Sequence, residues 1–234
     1  MKGIAVIPAR GGSKRIPKKN LLVTGGRPMI ERPIRAAYES GLISDVLVST
    51  DDDDIARLAE KCGASIFEQR PKELSGDQTT TAPVIIHELD GFFQRGGDTD
   101  FVAVLYPTSI FISGADLITM ANRLFETRYP VEMVMTATKY PAPIERRWHL
   151  HPNGVGEQVD PISRNKNSDS FPESFYDAGQ AYVSVIDAWT KIERGTDVAT
   201  ALHVLPASRA WDINVPDDVI VATALRELLD NQTP

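Results

Sequence analysis

A single cysteine, Cys62, occurs in the 234 residues, so no internal disulfide can form and a reducing compartment is expected. No apolar run approaches the roughly 20 residues that a membrane-spanning helix needs. No charged-then-apolar leader precedes the first strand, so the expected location is the cytoplasm. Excess positive charge is also missing. The net charge is −7 and the isoelectric point near 5.2, which argues against nucleic-acid and membrane-surface partners. Neither G-x-G-x-x-G nor Gly-Lys-Ser/Thr occurs, which excludes the dinucleotide fingerprint and the P-loop and disfavours a dehydrogenase. Internal repeats and low-complexity segments are absent too. Hydrophobic content of 42% and charged content of 24% suit one soluble α/β domain spanning residues 1–234.

Acid is missing from the first 30 residues, and what fills them is basic: seven of the 25 Lys/Arg lie there, before Glu31. Ile4 to Ile7 form a β-branched apolar run that reads as a buried strand. Pro8 stops it, and Gly11-Gly12 leave no Cβ in the way of a ligand. Arg10, Lys14, Arg15, Lys18 and Lys19 follow within ten residues. A cationic glycine loop at the carboxyl end of a strand, on an anionic protein, is a place for a polyphosphate.

Downstream, a helix is expected from Pro28 to about Ser40 with Gly41 as its stop, then a strand at Val46–Val48. Asp51 to Asp54 read as the cap of a helix ending near Lys61. Ser65–Phe67 reads as a third strand, Ala82–Phe93 as a helix and Phe101–Leu105 as a strand. Asp116–Arg128 reads as a helix, Val131–Thr138 and a segment running to Ile186 as strands, and Leu202–Leu205 as the last strand. Pro216 opens a final helix to about Asp230. This alternation predicts a mostly parallel sheet between helices. Residues 141–172, rich in Pro, Asn, Ser and Arg, break the rhythm, and a loop that long is usually functional or meets a partner.

P-A-R-G-G-S-K-R-I-P-K-K-N, from Pro8 to Asn20, resembles the signature of the sugar-activating cytidylyltransferases, the CMP-sialic acid synthetase family. Arg70-Pro-Lys-Glu-Leu-Ser-Gly-Asp77 is similar to that family's R-P-x-E-L-x-x-D stretch. Tyr176-Asp177-Ala-Gly-Gln180-Ala-Tyr182 and Pro143-Ile-Glu-Arg146 resemble its pseudaminic acid branch. The resemblance covers nearly the whole chain. It implies a Rossmann-like nucleotidyltransferase fold with a protruding dimerisation arm at about 141–172, a homodimer, Mg²⁺ as cofactor, and CTP and a sialic-type sugar acid as substrates.

Site residues follow from the resemblance. Arg10 and Lys14 are expected on the triphosphate, with Ala9, Gly11, Gly12, Ser13, Lys19 and Asn20 completing the loop. Arg70, Asp77, Thr79 and Thr81 belong to the stretch that lies over cytosine and ribose. Tyr106, Tyr176, Asp177, Gln180 and Tyr182, with Arg146 and Arg164 from the arm, are expected around the sugar. The family's metal pair D-x-D reads Asp212-Ile-Asn214 here, and alternation along an extended segment points both ends to one side. Asp212 is therefore the expected metal carboxylate and catalytic group, with Asn214 able to offer only a carbonyl oxygen. Tyr106 stands where sialic acid enzymes usually carry Gln, and no Arg follows it closely. The sugar alternatives are N-acylneuraminate and legionaminate. The alternative from another class is a catalytically idle nucleotide-binding protein, which the Asn214 departure favours.

Overall fold

Ile4 and Val6 enter one hydrophobic core and Ala5 and Ile7 another, all fully buried, because successive side chains of a strand face opposite sides of the sheet. That strand is β1 (Gly3–Pro8). The structure, a computed structural model, describes residues 1–232. Its central sheet runs, in space, β4 (Ile43–Ser49), β1, β5 (Phe101–Leu105), β9 (Phe175–Ser184), β6 (Met133–Lys139) and β10 (Thr200–Val204). β9 alone runs antiparallel to its neighbours, while the β1–β4, β1–β5 and β6–β10 pairs are parallel.

Helices α1 (Glu31–Glu39), α2 (Asp53–Lys61) and α4 (Gly114–Leu124) lend residues to one core, and α3 (Thr81–Gln94) and α5 (Ala188–Glu193) to the other. A third cluster joins α6 (Pro216–Gln232) to Ile16, Met29, Phe111 and Ile213. It ties the final helix to the basic loop. The expected mostly parallel α/β architecture is what the chain forms.

Some local expectations are corrected. Pro28 does not open a helix. Gly25 and Gly26 have φ of 52° and 73° and turn a hairpin between β2 (Val23–Thr24) and β3 (Arg27–Pro28), as two positive-φ residues do in a type I′ turn. Ser65 makes one isolated bridge to Leu47 rather than a strand. The helix expected to reach Arg128 ends at Leu124, and it begins at Gly114, capped by Ser113, whose side chain makes a capping box with Asp116. The antiparallel sense of β9 was not expected, nor was α5.

Residues 141–172 form an excursion between β6 and β9. It carries a small hairpin, β7 (Trp148–Leu150) with β8 (Gly156–Gln158), and three 3₁₀ turns. Its contacts are mainly internal. Arg146 donates to Ser168 Oγ at 3.0 Å and to the Lys166 carbonyl, and its guanidinium lies over the Phe171 ring. Trp148, Leu150, Val155 and Ile162 remain exposed.

The contact between α1 and α4 is tight enough to demand glycine. A Cβ on Gly114 would stand 2.7 Å from the Ser40 nitrogen and 2.8 Å from the Glu39 carbonyl carbon. Both are backbone atoms and cannot rotate away. Gly114→Ala is therefore expected to destabilise the protein by about 1–3 kcal/mol. Urea denaturation checks this; an unchanged midpoint would show that the helices separate freely.

Candidate active site

The loop after β1 would scatter under its own charge without acids beneath it. The Gly11 amide donates to Asp51 Oδ1 at 2.8 Å, and Lys18 pairs with Asp54 at 3.0 Å. Asp52 caps α2, accepting from the Asp54 and Ile55 amides. A Cβ on Gly11 would lie 2.7 Å from the Asp52 Cβ, so this glycine is required by the close approach. The acidic run thus does more than cap a helix; it seats the basic loop. Parallel pairing of β1 with β4 brings the two loop starts together, Pro8 opposite Ser49.

Above this seat lies a cavity of about 440 Å³, lined by Arg10, Ser13, Lys14, Arg15, Lys19 and Asn20, with Asp77 and Tyr106–Thr108 opposite. A smaller space of about 160 Å³, reaching Arg70, Thr79 and Thr81, shares Pro8, Arg10 and Tyr106 with it. Both lie at the carboxyl ends of β1 and β5, where open α/β sheets bind ligands. The Lys14 side chain is 79% exposed, so a ligand entering the cleft can reach it.

Two of the cations already have a partner. Arg10 donates to Asp77 Oδ1 at 2.8 Å and Lys14 pairs with Asp77 Oδ2. Lys14 and then Arg10 hold the Asp77 carboxyl below its usual range. Lys19 differs, being half-buried and donating to the Ile213 carbonyl at 2.8 Å. Burial pushes its pKa down, opposed by the charge of Asp212.

The second cluster stands around Asp212. Ile213 is fully buried, which leaves Asp212 and Asn214 on the other side of the extended segment, as alternation predicts. The Asn214 amide donates to Asp212 Oδ2, and its Oδ1 accepts from Arg15 at 2.8 Å. A Cβ on Gly179, at φ 62°, would come within 3.6 Å of the Asp212 carboxyl carbon. Tyr182 donates to Asp177 Oδ2 at 2.6 Å, and Thr81 and Tyr106 share a hydrogen bond of 2.8 Å. Burial raises the pKa of both tyrosines, so both hydroxyls are neutral. Their rings meet edge to face at 5.9 Å, which joins this cluster to the cleft. Among the described residues, no group of three or more His, Cys, Asp or Glu could hold a metal.

Several expected ligand groups are turned inward. Arg70 is buried, donating to Ser49 Oγ at 3.0 Å and the Ser49 carbonyl at 2.6 Å, and so fastens the end of β4. Ala9 is buried with its amide on Ser49. Asn20 closes the basic loop by donating to the Arg10 carbonyl at 2.9 Å. Gln180 is fully buried, and its amide reaches the Trp211 carbonyl at 3.2 Å, positioning the Asp212 segment. Tyr176 is exposed beside Tyr140, while Arg164 stands exposed on the arm with Arg146 spent inside it. Arg15 was not among the expected site residues. Its place in the basic run was the available signal.

The family model described as Cytidylyltransferase matches residues 4–142. The chain is 30% identical over 225 residues to the pseudaminic acid cytidylyltransferase of Campylobacter jejuni subsp. jejuni, covering 96% of each. It is 40% identical over 111 residues to the CMP-N,N'-diacetyllegionaminic acid synthase of Legionella pneumophila, covering 47% of this chain and 48% of that one. The solved CMP:2-keto-3-deoxy-manno-octonic acid synthetase, complexed with CTP, superposes with a TM-score of 0.68 at 17% identity. The match covers 98% of this chain and 100% of that one, and supports the fold alone.

Asp77 sits between Arg10 and Lys14, so an anion drawn to these cations would compete with its carboxylate. Asp77→Ala is therefore expected to tighten pyrophosphate binding severalfold by leaving both cations unopposed. Calorimetric titration decides this; equal or weaker binding would show that the carboxylate is no competitor.

Proposed function

The chain belongs to the cytidylyltransferase family, and from that premise we propose that it transfers CMP from CTP to the anomeric hydroxyl of a nine-carbon 2-keto sugar acid. Pseudaminic acid is the first candidate. The observation that carries this reading is the cationic cleft, built on the family's opening motif and joined through Tyr106–Tyr182 to a polar, aromatic cluster. Relatives that act on pseudaminic acid match along 96% of the chain.

The sugar hydroxyl oxygen bonds to the α-phosphorus, the bond to the β-phosphate bridging oxygen breaks, pyrophosphate leaves and the hydroxyl proton passes to solvent. Arg10, Lys14 and Arg15 face the triphosphate and offset the charge gathering on the leaving group. Ser13 and the Gly12 amide add uncharged donors. The smaller space beside Thr79 and Thr81 takes the ribose and cytosine. Asp212 is the carboxylate that would hold Mg²⁺, whose charge would offset that of the phosphate oxygens. One protein carboxylate suits this ion, which keeps waters and substrate phosphate oxygens in its shell. Asn214, with its carbonyl on Arg15, serves to orient Asp212.

At the sugar side, Tyr106, Tyr176, Asp177 and Tyr182 offer ring faces and hydroxyl and carboxylate groups to an acylaminated acid. The exposed apolar residues of the arm suit contact with a second copy of the chain, so we read the protein as a cytoplasmic homodimer.

Two measurements test this reading. With purified protein, CTP and Mg²⁺, pyrophosphate and CMP-sugar are measured across a panel of sialic-type acids. Pseudaminic acid is expected to exceed N-acetylneuraminate at least a hundredfold in kcat/KM, about 2.7 kcal/mol. Equal efficiency would remove the sugar assignment, and no pyrophosphate from any acid would remove the enzyme. Light scattering is expected to give a dimer mass that Trp148→Asp with Ile162→Asp reduces to a monomer. A monomeric wild type would reject the pairing.

A further inference from the structure

A second cavity, of about 480 Å³, shares no lining residue with the cleft. Five arginines line it: Arg27 from β3, Arg32 and Arg35 from α1, Arg209 from a 3₁₀ turn and Arg226 from α6. None lines the cleft assigned to nucleotidyl transfer. Such a gathering on a protein of net charge −7 needs a physical reason.

Internal pairing accounts for only part of it. Glu31 serves both Arg27, at 2.7 Å, and Arg35, at 3.9 Å. Asp230 serves both Arg32, at 3.3 Å, and Arg226. Arg35 also meets Glu39 at 3.2 Å, and Arg209 meets Asp116, which His203 shares. Carboxylates are thus divided among cations that cannot deprotonate. Backbone carbonyls take further N–H groups: Phe111 accepts from Arg209 at 2.9 Å, Ile110 from Arg226 at 3.3 Å, and Thr24 and Gly25 from Arg32. These bonds fix where the guanidiniums point. They cancel no charge.

Arg32 is bonded to Asp230, Thr24 and Gly25 through one terminal nitrogen yet keeps another donor unsatisfied. Its side chain is 10% exposed, and its Nε is buried without a hydrogen-bond partner. Burial and then the charge of Arg226 work against its protonation. A buried cationic donor with nothing to bond costs stability unless another group supplies the acceptor. The hairpin turn is shaped around these groups too, since a Cβ on Gly25 would lie 2.9 Å from Arg32 Nη2 and 3.1 Å from Arg226 Cγ.

We propose that this arginine-lined cavity is a second, noncatalytic site for a small phosphate-bearing anion. Guanidinium forks match phosphate oxygens in pairs, and the volume admits a ligand as large as a nucleoside monophosphate. Free phosphate and the phosphate of a nucleotide share this chemistry.

The test uses the full chain, with inorganic phosphate and CMP titrated separately by calorimetry. The Lys14→Ala variant weakens the catalytic cleft. Phosphate binding is expected to survive in Lys14→Ala and to fall at least tenfold when Arg226→Ala is added. Arg35→Ala, at a half-exposed position, gives the same result with little risk to folding, which thermal melting verifies. CMP binding more tightly than phosphate at this site identifies a nucleotide as occupant; phosphate alone binding identifies the free ion; either supports the site. Absence of millimolar binding in Lys14→Ala, or binding unaffected by both arginine substitutions, overturns it. Failure of nucleotidyl transfer would leave the result untouched, because none of these arginines lines the cleft.

Discussion

The hydrogen bond from the Gly11 amide to Asp51 is the joint on which the active loop depends. Like charges packed along ten residues repel, and a flexible loop of that kind would not hold a ligand-ready shape. The acids that follow β4 oppose that repulsion at Gly11 and Lys18. They can do so only because β4 lies directly beside β1 in parallel register. Buried Arg70 then locks the end of β4 through Ser49. Electrostatics shapes the site, and strand order makes that possible.

Within the site, cations are held in two ways. Lys19 is anchored to the Ile213 carbonyl and partly stripped of water, so it stiffens the joint between the basic loop and the Asp212 segment. Arg10 and Lys14 rest on an exposed carboxylate, where screening by water keeps the pair weak. A polyanion meets little resistance there. Arg15 has a third role, since its bond to Asn214 joins the basic loop to the Asp212 carboxylate through one amide.

Much of this was legible in the residues. Ile4 to Ile7, the glycine pair and the basic run locate the strand and the cationic loop that follows it, because buried strands and unhindered amides leave local patterns. The shared side of Asp212 and Asn214 follows from strand alternation alone. What was illegible rests on distant neighbours. Pro28 fits a helix start equally well until the Gly25-Gly26 turn is seen to pair Val23 with it. Arg70 and Gln180 read as ligand groups because no local pattern reveals the Ser49 and Trp211 carbonyls that claim them. The reversed sense of β9 is likewise a matter of topology, since parallel and antiparallel buried strands share one composition. The irregularity of β9 around Gln180 lies opposite Thr136, whose Oγ1 accepts from the Ala181 amide at 3.0 Å, a contact that spans 45 residues.

β6 ends and β9 begins at one rung of the sheet, Lys139 opposite Phe175, and the Tyr140 amide closes onto the Ser174 carbonyl at 2.9 Å. The 35 residues between, 140–174, therefore leave and re-enter through a gap that a tight turn could span. The arm is topologically a plug-in. Its length and chemistry can be exchanged without altering the register of any strand that carries the cleft. A lineage of such proteins is free to remodel its outer surface, and with it the company the protein keeps, while the cationic cleft stays unchanged.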